Sequence, residues 1–171
     1  IRELEGDRGM DEPHRIESAN LSIKLTQCGL DLGDDFAERQ YREVVWSAAE
    51  LHGFVRVDME GSPYTERTLA LVEKVWKELP NTGTVLQSYL HRTGADIDRI
   101  IELGMRVRLV KGAYLEPKEV AIQDKRGVDA AFLSQAKKLM SEAHYPAIAT
   151  HDEKIVKQLL ATNGIHEVVE A

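Results

Sequence analysis

The feature that most constrains this chain is a rhythm. Short β-branched or apolar runs alternate with segments whose apolar residues recur at helical spacing. The runs are 21–25, 54–60, 84–90, 106–111 and 146–151, with a weak sixth at 167–169. Between the first two, Phe36, Ala37, Tyr41, Val44, Val45, Ala48 and Leu51 make one stripe over 35–52, with Gly53 as the expected stop. Residues 63–79 carry Leu69, Val72, Trp76 and Leu79, with Ser62 as the expected cap, Pro63 in the first turn and Pro80 at the end. Further helices are expected over 96–103 before Gly104, over 128–143, and from a cap at Asp152 to Gly164. Strands alternating with helices predict βαβ units, a parallel sheet and right-handed crossovers. Residues 1–20 mix both charge signs without periodicity and are expected to be a polar loop or remnant, leaving one domain over 21–171.

Composition narrows the function classes. The 171 residues are 43% hydrophobic and 30% charged, enough to bury a core without metal or disulfide. The lone Cys28 excludes an internal disulfide or a zinc ribbon, and is expected to fill space after the first strand. A net charge of −7 argues against nucleic acid as partner. No apolar run is long enough for a membrane span and no leader opens the chain, so a cytoplasmic protein is expected. The first residue is Ile1, which points to a longer parent chain.

Buried parallel strands should be almost wholly apolar, yet all five runs turn polar at their C-terminal ends. Lys24 ends the first, Asp58 and Glu60 the second, and Gln87 and Tyr89 the third. Arg108 and Lys111 end the fourth, with Gly112, Ala113 and Tyr114 just beyond, and Thr150 and His151 end the fifth. That is the rim where parallel α/β folds build their sites. Lys24, Arg106, Arg108 and Lys111 would bring positive charge there, suiting an anionic ligand, and Asp58 should stay ionised and pair with one of them. Gly112 and Ala113 leave room for a large flat or phosphorylated ligand against the backbone. No metal-ligand spacing and no nucleophile elbow is present. A strand-end lysine beside an acid, Lys24 or Lys111, also suits Schiff-base chemistry in a barrel lyase or aldolase.

Five motifs in order, SIKLTQCGLDL, VRVDMEGS, VLQSYLHRT, VRLVKGAYLEP and AIATHDE, resemble the proline dehydrogenase family from residue 21 to about 160. The likeness is closer to the single-function bacterial form than to the bifunctional one. It implies an α/β fold, a distorted (βα)8 TIM-type barrel with FAD at the strand C-termini, of which five to six βα units would lie here. It also implies oxidation of L-proline to Δ1-pyrroline-5-carboxylate, the first step of proline catabolism, with electrons passed to a quinone and hence a peripheral membrane contact. By motif position, Lys24 would hold the substrate carboxylate and Asp58 would be a catalytic-site carboxylate. Met59 and Gln87 would touch the flavin ring, and Arg108 would sit beside flavin N5. Lys111, Gly112 and Ala113 would line the cofactor and Tyr114 would support the pocket. Thr150 and His151 would meet the phosphate and adenosine half. A complete barrel needs about 250 residues. The family's last strands, with a tyrosine and paired arginines that clamp the carboxylate, are expected beyond residue 165. No Arg-Arg pair occurs in this chain, so a fragment of a longer gene is expected; a truncated, non-catalytic flavin-binding remnant is the alternative.

Overall fold

The structure is a computed structural model that describes residues 20–163. Five strands, β1 (Asn20–Ile23), β2 (Phe54–Val57), β3 (Thr82–Gln87), β4 (Arg106–Val110) and β5 (Pro146–Ile148), form one sheet in the order β1-β2-β3-β4-β5, every neighbour parallel. The helices are α1 (Asp34–Glu50), α2 (Ser62–Trp76), α3 (Thr93–Leu103), α4 (Lys125–Glu142) and α5 (Glu153–Asn163). Strand order that follows chain order without reversal has no topological switch point, which distinguishes a barrel sector from a doubly wound sheet. The expectations for residues 1–19, for a strand at 167–169 and for a stop at Gly164 lie outside the described residues. Asn20, expected in the polar remnant, opens β1.

Register assigns the two faces. Ile23, Val57, Thr84, Val107 and Pro146 stand level in one row, and Leu86, Leu109 and Ile148 in another. Val57, Val107, Leu109 and Ile148 are buried in one core with Ala37, Tyr41 and Val45 of α1, Leu69 and Val72 of α2, Ile97 of α3, Phe132 and Leu139 of α4, and Ile155 of α5. Burial of that face stabilises by about 25 cal/mol per Å² of apolar surface removed from water. Tyr41 has no exposed surface; its hydroxyl and Thr82 Oγ1 lie 2.5 Å apart, and Thr82 Oγ1 donates to Val55 O. Burial pushes the Tyr41 phenol well above its ordinary pKa, so it stays neutral. The intervening rows, Ser22–Arg56–Gly83–Arg106 and then Val85–Arg108–Ala147, occupy the opposite, concave face. Gly83 is required there, because a Cβ would overlap Arg106 O and crowd the Phe54 ring.

Several local expectations need correction. Gly61, not Ser62, is the N-cap of α2; Ser62 is its first residue. The left-handed residue that ends α1 is His52 (φ 54°), not Gly53. His52 N donates to Ala49 O and Gly53 N to Ala48 O, a two-bond helix stop with Gly53 one position later than expected. Phe36 and Leu51, expected in the α1 stripe, are instead 39% and 71% exposed, the Phe36 ring lying over the Gly29 backbone. Gly104 does end α3 in the left-handed region (φ 71°). Cys28 is a buried free thiol whose pKa is raised by desolvation.

Candidate active site at the strand C-termini

The eleven residues given roles by motif position all border one cavity of about 550 Å³, within the ordinary range for a ligand pocket. Lys24 follows β1; Asp58 and Met59 follow β2; Gln87 ends β3. Arg108 lies within β4 and Lys111, Gly112, Ala113 and Tyr114 follow it; Thr150 and His151 follow β5. Most of these residues sit one or two positions past a strand, where side chains leave the sheet and converge on the rim.

The charges are largely committed to one another. Arg108 Nη2 donates to Asp58 Oδ1, tying β4 to the end of β2 across the concave face. Arg108 Nε is buried without a hydrogen-bond partner among the described residues. Lys111 Nζ donates to Asp129 of α4 at 2.6 Å and to Asp152 at 3.1 Å. Partial burial disfavours the Lys111 ammonium, but these two bonds outweigh it and hold its pKa above the ordinary lysine value. A Schiff-base lysine must lose its proton, so this environment opposes that role for Lys111. Asp152 also caps α5, its Oδ1 accepting from Lys154 N and Ile155 N, while Thr150 Oγ1 accepts from Asp152 N. Among the described residues, Lys24 has no carboxylate partner; its backbone N donates to Gln27 Oε1. It is the cation left to meet an anionic ligand.

Uncharged groups complete the walls. Gln87 is 3% exposed, and its amide nitrogen donates to Glu60 O at 2.9 Å, fixing the amide at the cavity wall. Glu60 itself turns to the loop after β1, where its carboxylate accepts from Thr26 N and Thr26 Oγ1. Gly112 has φ 117°, and a Cβ there would overlap the ring of Tyr89 beneath it. Tyr89 thus supports the cavity floor rather than facing a ligand.

Arg106 is the misplaced candidate. It opens β4, at the opposite end of the strand from the cavity, and its guanidinium stacks on Phe54 (5.0 Å) and Tyr145 (4.6 Å). The sequence reading also missed Val85, Val110 and Ala149, which give the cavity an apolar lining. Two-residue alternation back from the polar rim would have found them. Asp129 has no motif of its own; only its i,i+4 relation to Lys125, with which it pairs, hints at a role.

The Lys111 cluster predicts a pH dependence. The hydrogen bond from Lys111, with Lys125 adding to it, holds the Asp129 carboxyl below its ordinary value of 3.8; Lys111 does the same for Asp152. A depressed carboxylate contributes stability that is present above the unfolded-state pKa and lost as pH falls through the folded one. Asp129→Asn should therefore lower the urea midpoint by a constant amount between about pH 5 and 9, with the gap closing below about pH 4. A gap that persists unchanged at pH 2 would contradict the ion-pair origin.

Comparisons with known proteins agree with this geometry. A family model described as proline dehydrogenase matches residues 1–170. Proline dehydrogenase 1 of Bacillus subtilis (strain 168) is 40% identical over 155 residues, covering 89% of this chain and 51% of that protein. Proline dehydrogenase of Deinococcus radiodurans is 36% identical over 153 residues, covering 85% of this chain and 49% of the relative. The chain thus spans about half the length of the curated relatives it matches. Among solved structures, proline utilization A from Bdellovibrio bacteriovorus inactivated by N-propargylglycine superposes with a TM-score of 0.73 at 24% identity, over 81% of this chain and 18% of that one. A mutant of proline utilization A from Bradyrhizobium japonicum gives 0.75 at 22% identity, over 88% and 19%. At those identities the superpositions speak for the fold, a TIM-type barrel of which this sheet is a five-strand sector. The matched family model and the curated relatives together show that the chain belongs to the proline dehydrogenase family.

Proposed function

We propose that this chain is part of the catalytic barrel of an FAD-dependent enzyme that oxidises L-proline to Δ1-pyrroline-5-carboxylate, with a quinone as final acceptor. The observation that carries the reading is the convergence of Lys24, Gln87, Arg108 and the Gly112 backbone on one cavity at the strand C-termini. The site suits a flavin on its own features. Gly112, packed on the Tyr89 ring with no room for a Cβ, presents bare backbone to the cavity, Arg108 offers a fixed cation with a buried Nε that lacks a partner among the described residues, and Val85, Val110 and Ala149 provide apolar contact.

FAD, when bound, supplies the hydride acceptor. The residues of this chain supply position and charge. Arg108 cannot lose its proton at working pH, so it stabilises negative charge developing beside it, and Asp58 fixes its direction. Lys24 is the cation available for the proline carboxylate, a binding role that orients C5 without proton transfer. Met59 and Gln87 would contact the ring, and Lys111, Gly112 and Ala113 would line the cofactor. Tyr114 would support the pocket, while Thr150 and His151 would meet the phosphate and adenosine half. Lys111 would serve chiefly to hold Asp129 and Asp152 at the rim, since its charge is already committed. Among the described residues no helix is long and apolar enough to cross a membrane.

The test is anaerobic addition of L-proline to the full-length protein reconstituted with FAD. Bleaching of the flavin bands with formation of Δ1-pyrroline-5-carboxylate is expected, and Lys24→Ala should raise the half-saturating proline concentration by about tenfold or more. A flavin that binds but is not reduced by proline would leave the chain a flavin-binding remnant. Trapping of a carbonyl substrate on Lys24 by borohydride would indicate the lyase chemistry instead.

A further inference from the structure

The segment that connects β4 to α4 makes an excursion, and its main chain is anchored at both ends to Tyr89, two residues past β3. Tyr89 N donates to Lys111 O at 3.0 Å where the segment leaves, and Ile122 N donates to Tyr89 O at 2.8 Å where it returns. The outgoing half, 112–116, forms a strap along the cavity, and Gly112, Ala113 and Tyr114 border it. Little apolar burial holds the middle of this strap. Leu115 is fully exposed and Tyr114 is 38% exposed.

Its far end is held by charge. The Glu116 carboxylate accepts from Ser62 N and from Ser62 Oγ, both at 2.6 Å. Ser62 is the first residue of α2, whose N-cap, Gly61, has no side chain with which to cap it. Glu116 therefore caps α2 from a distant loop, with its negative charge at the positive end of the helix dipole. Gln123 Nε2 donates to Glu116 O at 3.2 Å and ties the same residue back to the returning half.

We propose that Glu116 is a positioning residue for the cavity: by capping α2 it fixes the 112–116 strap as the wall against which the cofactor lies. The bond pair spans 54 residues of sequence and joins the β2–α2 and β4–α4 connections, so one side chain sets the width of the mouth between them. The cofactor part of this inference rests on the flavin reading above; the strap part does not.

The experiment compares Glu116→Ala and Glu116→Gln in the full-length protein, with two readouts. Chymotrypsin cleavage after Tyr114 or Leu115 in cofactor-free protein reports strap opening, and FAD titration reports the cavity. Glu116→Ala should speed cleavage and weaken FAD binding by about tenfold each, the scale of losing one charged cap. Glu116→Gln, which keeps an acceptor for Ser62 N and a donor for Ser62 Oγ, should restore most of both. Unchanged cleavage and affinity in Glu116→Ala would overturn the proposal. So would equal losses in both variants accompanied by a lower thermal midpoint, which would mark general destabilisation. If the unsubstituted protein binds no FAD, the flavin reading fails, while the cleavage rates still decide whether Glu116 holds the strap.

Discussion

Arg108→Met in the full-length protein is expected to slow flavin reduction by L-proline about a thousandfold, the scale of removing a preorganised charge beside a reacting centre. Methionine keeps an unbranched apolar stem, shorter than that of arginine, and removes the charge. The substitution also leaves Asp58 without its partner. Both groups are partly exposed, at 21% and 30%, so the stability cost should be about 1 kcal/mol or less. Rate loss and stability loss are therefore separable by single-turnover reduction and urea unfolding on the same sample. Arg108→Lys should recover part of the rate, since the charge returns without the planar fork that binds Asp58. Reduction by Arg108→Met within about threefold of the parent would remove Arg108 from the role given to it.

Gly112→Val should be the most damaging substitution to the cavity itself. At φ 117° a β-branched residue is strained, and its Cβ would overlap the Tyr89 ring. The two effects together should cost about 2–4 kcal/mol or force the strap aside, abolishing FAD binding in either case. Pairing Gly112→Ala with Tyr89→Ala separates them. Removing the ring should relieve the overlap and leave the backbone penalty, so the double variant should be less destabilised than the two single costs added. Urea unfolding of the four proteins reads this directly. Additive costs would mean that Tyr89 does not confine the strap.

Why some features were legible and others not follows from the range of the forces involved. Helices α1, α2 and α3 and the cores of all strands were readable because apolar period is a local property, and Val57, Val107 and Leu109 fall where the pattern puts them. Polar strand ends were readable because a parallel sheet tolerates Lys24, Asp58 or Arg108 only where side chains escape burial. Arg106 misled because it carries the same charge as Arg108 two residues later, although it opens its run and so stands at the end away from the rim. Pairing with Phe54 and Tyr145 is a tertiary fact. Ser62 looked like a helix cap because serine usually is one, yet a carboxylate 54 residues away does the capping. Likewise Asp129 became visible only once α4 was laid beside β4 and Lys111.

The central claim is that the cavity at the strand C-termini is where the flavin lies. A crystal structure of the full-length protein with FAD measures it most directly. The flavin ring is predicted to lie against Met59, Gln87 and Arg108, with the Gly112 backbone along its edge. A ring found on any other surface, with this cavity filled by solvent or side chains, would contradict the account.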